Sequence, residues 1–424
     1  MSITTFSAFK NRNYRLYFSG QSLSLIGTWM QKTAVVWVVY TITKSAYMLG
    51  VTALATQLPM TVFSLLGGIA SDRFDRFKVL LLTQVLSMIQ AIILAILTLT
   101  GHYQVWEILT LSVVLGIINA FDTPARQPLV HEMITEKEEL PNALALNSSM
   151  VNLAKSVGPA LSGIVLAKLG AGVCFIINAL SFVAVLTSLL LMRLPKRTFN
   201  KTKKKVALEL AEGMIYVRNT PILAKVMMML AFTCLLVLPY NTLLPVFARV
   251  TFKGDAATFG WLNSCIGLGA LIGAFFLASL KKGADLKFIL LVNTVVLGIG
   301  LILFSHTTSF PLALLFAVLI GFGTMAQSTI ANTLAQFHSD QKMRGRVIGI
   351  LLLALGLLPI GAYIAGAVSQ RIGAPDVLLC EGITALAIAG IFARFLSSER
   401  MKQKNVLQPK ETIEVSEEII EEKI

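Results

Sequence analysis

The chain has 424 residues, of which 55% are hydrophobic and only 14% charged, and its formal net charge is +14. A soluble domain does not need so much apolar surface, so the composition points to an all-α protein that crosses a membrane many times. The positive balance does not indicate nucleic-acid binding, because the bases are spread over short loops between apolar stretches instead of forming one patch. Cys174, Cys234, Cys265 and Cys380 are scattered through apolar stretches with no C-x-x-C pair. They read as small core residues and imply neither disulfides nor a metal. The polar residues 1–10 and the long apolar run after them do not form the pattern of a cleavable signal peptide.

In chain order, twelve spans are expected, at 14–42, 46–70, 77–100, 105–121, 142–169, 172–194, 221–246, 257–280, 286–304, 310–332, 347–370 and 377–396. A helix needs about 20 residues to cross the hydrocarbon core. Of the 36 Lys and Arg residues, only Lys44, Lys168, Arg249, Lys253 and Arg371 fall on one side, and Lys32, Lys155 and Lys225 fall within spans. All the others share the opposite side with both termini, which the positive-inside rule makes the cytoplasm.

The longest polar interruption, 195–219, follows six spans and divides the chain in two. Apolar residues at helical spacing over 206–217 suit a helix at the membrane surface, and the basic run 201–205 suits a topology anchor beside anionic lipid. The expected units are therefore a six-helix bundle at 1–194, a cytoplasmic linker at 195–220, a second six-helix bundle at 221–398 and an acidic cytoplasmic tail at 399–424. The bundles read as distant repeats. Gly163, Lys168, Gly170 and Ala171 are echoed by Gly366, Arg371, Gly373 and Ala374, 203 residues later, and Gly116 is answered by Gly321, 205 later.

Between the second and third spans, Gly67-Gly68 is followed by Asp72, Arg73, Asp75, Arg76 and Lys78, five charges in seven residues. Asn119-Ala120-Phe121-Asp122-Thr123-Pro124-Ala125-Arg126-Gln127 closes the fourth span, and Leu140-Pro141-Asn142-Ala143-Leu144 opens the fifth. Gly27-Thr28-Trp29-Met30-Gln31 lies in the first span, and Arg344-Gly345-Arg346-Val347 precedes the eleventh. Together these resemble the major facilitator superfamily, in the branch that holds the enterobactin exporter and macrolide efflux pumps. Gly68, Asp72, Arg73, Arg76 and Lys78 fit or nearly fit its G-x-L-A-D-R-x-G-R-K loop, with Asp75 replacing the second glycine. Gly158-Pro159-Ala160-Leu161-Ser162-Gly163 resembles the G-P-x-x-G-G motif of its antiporters, with Ser162 replacing a glycine.

The resemblance implies two six-helix halves and a secondary transporter exporting an amphipathic small molecule, a siderophore or a drug, across the bacterial inner membrane. Alternating access driven by proton antiport is implied, with no cofactor and a monomeric chain. It also implies a gate in which Asp72 meets the start of the eleventh helix. Arg344 and Arg346 are its expected charge partners, and Asp122 and Arg126 are gate candidates in a neighbouring inner loop. The plainer reading of Asp122 and Pro124 is that they end the fourth span. Pro159, lacking an N–H, and Gly158 beside it mark a kink or pivot.

Two spans carry polar stripes. Tyr17, Gln21, Ser24, Thr28 and Lys32 recur at helical spacing on the first, and Ser148, Asn152, Lys155 and Ser156 on the fifth. Polar groups in hydrocarbon are costly, about 2.5–3.5 kcal/mol for a central lysine, so these faces should point into a wet cavity. Gln21, Thr28, Gln31, Lys32, Asn152 and Lys155 are the expected substrate residues, with the lysines contacting an anion. Asn119, Asn178, Asn263 and Asn293 are expected to bond neighbouring helices. Acids in spans are scarce, and Glu381 and Asp122 are the candidates for carrying a proton. The alternatives are an importer of the same fold or a membrane-embedded protein handling lipid. Against the latter, the four histidines show no metal-ligand spacing and no nucleophile motif is present.

Overall fold

The computed structural model describes residues 7–134, 136–193, 206–281, 283–341 and 343–421. The described chain is helical: α1 (Arg12–Thr43), α2 (Ala46–Arg73), α3 (Arg76–Thr100), α4 (Val105–Met133), α5 (Leu140–Leu169), α6 (Ala171–Leu191), α7 (Val206–Asn219), α8 (Pro221–Leu236), α9 (Tyr240–Val246), α10 (Ala256–Ala278), α11 (Leu286–Ser305), α12 (Phe310–Phe337), α13 (Arg344–Leu355), α14 (Leu358–Ile372) and α15 (Ala374–Glu421). Among the described residues, 11 stretches are long and apolar enough to cross a membrane. The stretch carrying the polar stripe, α1, is 32 residues long and is not one of them.

Several elements differ from the sequence expectation, mostly at prolines. α4 does not stop at Phe121 but runs on through Asp122, Pro124 and Pro128 to Met133. Each proline lacks the N–H that would bond the carbonyl four residues back. The Pro124 carbonyl, freed by Pro128, accepts instead from Ser71 Oγ of α2 at 3.0 Å. The Ala120 carbonyl, freed by Pro124, faces Gly67 of α2 so closely that a Cβ there would overlap it. The prolines therefore join α4 to α2 without ending it.

The seventh expected span is broken into α8 and α9 ahead of Pro239, and a π turn at Phe247–Thr251 follows α9. The eleventh is broken into α13 and α14 at Gly356 and Leu357. The link carrying the charge motif shrinks to Phe74 and Asp75. Asp72 belongs to the last turn of α2, and Asp75 caps α3 by accepting from Phe77 N at 3.0 Å. The tail continues α15 as helix to Glu421. α7 forms where an amphipathic segment was expected, whereas the basic run 201–205 lies outside the described residues.

The internal repeat is visible in the backbone. Gly170 ends α5 at φ +84° and Gly373 ends α14 at φ +92°, a region open to glycine, so the next helix starts at once with Ala171 or Ala374.

Most helix pairs lie within residues 12–191 or within 206–421, and the extensive pairs joining the two stretches are α5 with α10 and α2 with α14. Both joints are backbone contacts. A Cβ on Gly163 would lie 2.8 Å from the Gly260 Cα, and one on Gly366 would lie 3.0 Å from the Gly50 Cα. Small residues are the means by which helices associate where lipid offers no hydrophobic drive.

Helix packing inside each stretch uses the same device twice. Gly67 meets the Ala120 carbonyl of α4, and Gly269 meets the Val318 carbonyl of α12. The expected motif glycine, Gly68, has no such neighbour. Overpacking against a carbonyl costs about 1–3 kcal/mol. Gly67→Ala and Gly269→Ala should each lower the thermal midpoint of the detergent-solubilised protein by several degrees. Gly68→Ala and Gly390→Ala, at sites with nothing within 4 Å, should leave it unchanged. Equal midpoints for all four would remove the packing argument.

Candidate functional site

Among the described residues, the extensive contacts between the two stretches lie toward one end. At the end holding Thr43, Gly170 and Gly373, Trp37 stacks on Phe259 with centroids 5.8 Å apart, Ser45 Oγ donates to Gln370 Oε1 at 3.2 Å, and the Tyr47 and Tyr363 hydroxyls lie 3.2 Å apart. The apolar cores there are shared: Ala46 joins the core around Phe247 and Phe304, and Ala256 joins the core around Phe175. At the end holding Arg12, Met133 and Arg344 the cores are separate. One is built within residues 8–192 and the other within 217–396. Among the glycine contacts that join the stretches, those reaching furthest toward that second end are Ser156 against Gly267 and Thr61 against Gly356. We read the space between the two separate cores, toward the Arg12 end, as a cleft.

The cleft's upper wall carries two lysines. Lys155 of α5, one residue before Ser156, is exposed, and Lys32 of α1 is half-buried. Their ammonium nitrogens lie 5.7 and 4.5 Å from the centroid of the Trp29 ring, which is cation–π range, worth about 0.5–2 kcal/mol. Gly158 makes this possible, since a Cβ there would lie 2.5 Å from the Trp29 Cβ. Ser162 Oγ donates to the Met30 carbonyl at 3.0 Å and fixes the same crossing. The Gly158-Pro159 motif is thus a packing joint with α1 on one side and α10 on the other: the Pro159 carbonyl faces Gly260, and α5 runs through it unbroken. Asn152, also expected in the cavity, is half-buried one turn before Lys155.

Gln31 does not line the cleft. It is 1% exposed, its amide nitrogen donates to Gln90 Oε1 of α3 at 2.8 Å, and its oxygen accepts from Asn178 of α6 at 2.8 Å. Gln90 in turn donates to the Leu111 carbonyl of α4. Thr28 bonds back to the Ser24 carbonyl at 2.8 Å. Gln21 is buried and its Oε1 has no partner. Asn178 bonds a neighbouring helix through Gln31, as expected, whereas Asn263 and Asn293 bond carbonyls four residues back in their own helices.

Asp122 is not in an inner loop, because α4 carries it inside the packed core. It accepts from Thr83 Oγ1 at 2.9 Å and Gln84 Nε2 at 2.7 Å, and is ion-paired with Arg126 one turn on. Thr83, Gln84, Ser87 and Gln90 form a buried polar stripe on α3. Their helical spacing inside an apolar span was a legible signal for these partners. In the second stretch, Gln327 of α12 donates to Thr294 of α11 at 2.8 Å. Glu381 of α15 is 5% exposed with Oε2 unpartnered, and the Tyr240 and Thr324 hydroxyls nearby lie 3.2 Å apart.

The expected gate residues Arg73, Arg76, Arg344 and Arg346 lie at the open end. The side chain of Asp72 lies outside the described residues. Arg73 is exposed, Arg76 pairs with Glu132 at 3.1 Å, and Arg344 Nε donates to the Ser339 carbonyl. Arg346 pairs at 2.8 Å with Glu212 of α7, a partner the sequence reading did not foresee.

Comparison with known proteins gives this geometry a setting. The family model described as a transmembrane secretion effector matches residues 3–423. The chain is 24% identical over 398 residues to the staphyloferrin A transporter of Staphylococcus aureus, covering 92% of this chain and 97% of the relative. It is 25% identical over 372 residues to the multidrug efflux pump Tap of Mycolicibacterium fortuitum, covering 85% and 90%. To macrolide efflux protein A of Streptococcus pyogenes it is 23% identical over 389 residues, covering 90% and 96%. Among solved structures, a POT family transporter in complex with 5-aminolevulinic acid matches with a TM-score of 0.75 at 14% identity, over 91% of this chain and 96% of that one. An inward-facing bacterial homologue of the lysosomal transporter Spinster matches at 0.67 and 16%, over 90% and 97%.

Breaking a buried ion pair from one side leaves a charge uncompensated, typically at about 3–5 kcal/mol. Asp122→Asn and Arg126→Met should each be strongly destabilising, while the double variant should cost clearly less than their sum. A thermal-unfolding double-mutant cycle measures this, and strict additivity would mean that the pair contributes nothing.

Proposed function

The chain belongs to the transmembrane secretion effector family of the major facilitator superfamily, and we propose that it exports an amphipathic small molecule by alternating access. The coarser part of that statement follows from the family: the chain is a multi-pass membrane protein that moves a small molecule across a bilayer, and it is not an enzyme. The finer parts are our reading. The chain forms twelve spans, counting α1, in two six-helix halves around the linker, in a bacterial inner membrane with both termini in the cytoplasm. The bases clustered at the Arg12 end support that orientation.

One observation carries the mechanism: the halves are sealed at one end by backbone contacts and apart at the other. This is one half of a carrier's cycle, with the cleft open to the cytoplasm. In the other half, the Arg12 end closes through Asp72, Arg73, Arg76, Arg344 and Arg346, and the Gly170 end parts. Export is read from the efflux pumps among the relatives. Uptake is the second reading, because a cleft open at one end serves either direction. Protons are the proposed coupling ion. Asp122 and Glu381 are the buried acids that lie within the helices expected to span, and Glu381, with Oε2 unpartnered, is the one whose charge a change of packing can most readily govern.

The test is transport of labelled staphyloferrin A and a labelled macrolide in inside-out vesicles with an imposed pH gradient. Gradient-dependent accumulation supports proton-coupled export, whereas accumulation only in right-side-out vesicles assigns uptake. Bridging Ser45→Cys to Gln370→Cys with a short reversible cross-linker should stop transport until it is reduced. Asp72→Asn should stop transport while the cross-link still forms. Transport that continues through the bridged protein would refute alternating access at this seam.

Orientation is tested separately. In intact cells, a membrane-impermeant thiol reagent should reach Lys253→Cys and not Lys281→Cys. The reverse pattern would invert the topology.

A further inference from the structure

Lys32 and Lys155 have no hydrogen bond or ion pair among the described residues, although each lies at least 11 residues from either end of its helix. The acids on the elements packed against them are engaged elsewhere or distant. α1, α5, α6, α9 and α10 contain no Asp or Glu. On α4, Glu107 closes the cap at Gln104, Asp122 is held by Thr83, Gln84 and Arg126, and Glu132 pairs with Arg76. Asp72, the lone acid of α2, belongs to that helix's last turn at the open end. Glu138 and Glu139 precede α5, 16 or more residues from Lys155, and Glu139 bonds Asn11.

We infer that Lys32 and Lys155, gathered around Trp29, form the binding site for an acidic solute bearing a carboxylate or a group of like charge. Three placements support it. Lys155 adjoins Ser156 at the Ser156–Gly267 contact, and Lys32, three residues nearer the Thr43 end than Trp29, reaches the same ring, so the pair stands where a molecule entering from the Arg12 end must stop. The two ammonium groups share one ring, so they are no more than about 10 Å apart and can grip one small molecule together. Asn152, a turn away on α5, has no recorded side-chain bond and supplies a polar neighbour, while Gln31 faces away into its own amide chain. The ring holds both cations while the site is empty, and a carboxylate is a stronger partner than an aromatic face for either ammonium.

This inference rests on the transporter reading, but its test does not use transport. Purified protein in uncharged detergent, with Trp37, Trp106 and Trp261 replaced by Phe, leaves Trp29 as the one reporter. Its fluorescence is titrated with 1-naphthoate and with 1-naphthylmethylamine, similar in shape and opposite in charge. Naphthoate should quench saturably and the amine should not. Lys32→Gln and Lys155→Gln should each weaken naphthoate by about tenfold or more. Lys155→Arg should retain binding, and Lys155→Glu, whose carboxylate would neutralise Lys32, should abolish the preference for the acid. Thermal unfolding and gel filtration accompany each variant, and the charge-retaining Lys155→Arg separates lost charge from lost fold. Equal binding of acid and amine, or equal losses for both in the Gln variants, would overturn the site. Added phosphatidylglycerol should leave the naphthoate response in place; displacement by it would assign the lysines to a lipid headgroup and overturn the solute reading. Naphthoate binding without any transport would leave this site standing and remove the export proposal alone.

Discussion

The structure depends on the approach of backbone to backbone at two glycine crossings. Lipid offers helices no hydrophobic reason to associate, so contact area and the fit of small residues must supply it. Gly163 against Gly260 and Gly366 against Gly50 bring α5 to α10 and α2 to α14 with no side chain between them. The two joints are related by the internal repeat, since Gly163 and Gly366 occupy corresponding positions 203 residues apart. Everything that makes the chain a carrier follows from their position. Because both lie toward the Gly170 end, the Arg12 end is left apart, and the lysines beside the seam face a cleft instead of a packed core.

The same repeat distributes the buried polar groups, but with unequal charge. Asp122 and Gln327, 205 residues apart, occupy corresponding places, and each bonds a threonine on the adjacent helix, Thr83 or Thr294. In the first half the node carries a carboxylate and so needs Arg126 as well as Gln84. In the second half a neutral amide does the same bridging with one bond, and its Oε1 is left over. A neutral node is held by packing and one hydrogen bond, whereas an ionised one ties three helical positions together and strongly penalises the loss of any one. The first half is therefore the electrostatically constrained one, and Glu381, the one buried acid among the described residues of the second half, stands outside any such node.

Much of this was legible in the sequence, for reasons that also explain what was not. Spans, loop charges and the two polar stripes follow from composition and the helical period, and α1 and α5 do bring their lysines to the cleft. Periodicity shows that a face is polar; it does not show whether the face meets water or another helix. That is why Gln31, on the same turn as Lys32, was expected in the cavity and is instead in a buried amide chain. Proline was the second source of error. It ends a helix in isolation, but Pro124 and Pro128 sit in α4 because a neighbouring helix takes up the carbonyls they release. Nothing within α4 itself records that Ser71 and Gly67 will be there.

On the proposed reading, the position of the lysines also relates binding to closure. While the Arg12 end is open, Lys155 is wet and its charge is hydrated. Closing that end removes the water, and an ammonium left dry without a counter-charge is among the costlier groups to bury. Trp29 offsets only a small part of that cost, and it is shared between two cations. A bound acid offsets far more, because it supplies the charge that α1 and α5 lack. Arg346 faces the opposite situation, since it already has a carboxylate, Glu212 of the linker helix, while the end is open. The open state thus leaves its binding cations unpaired and its rim cation paired, which is the arrangement in which an acidic solute, rather than closure of the empty cleft, meets the unsatisfied charge.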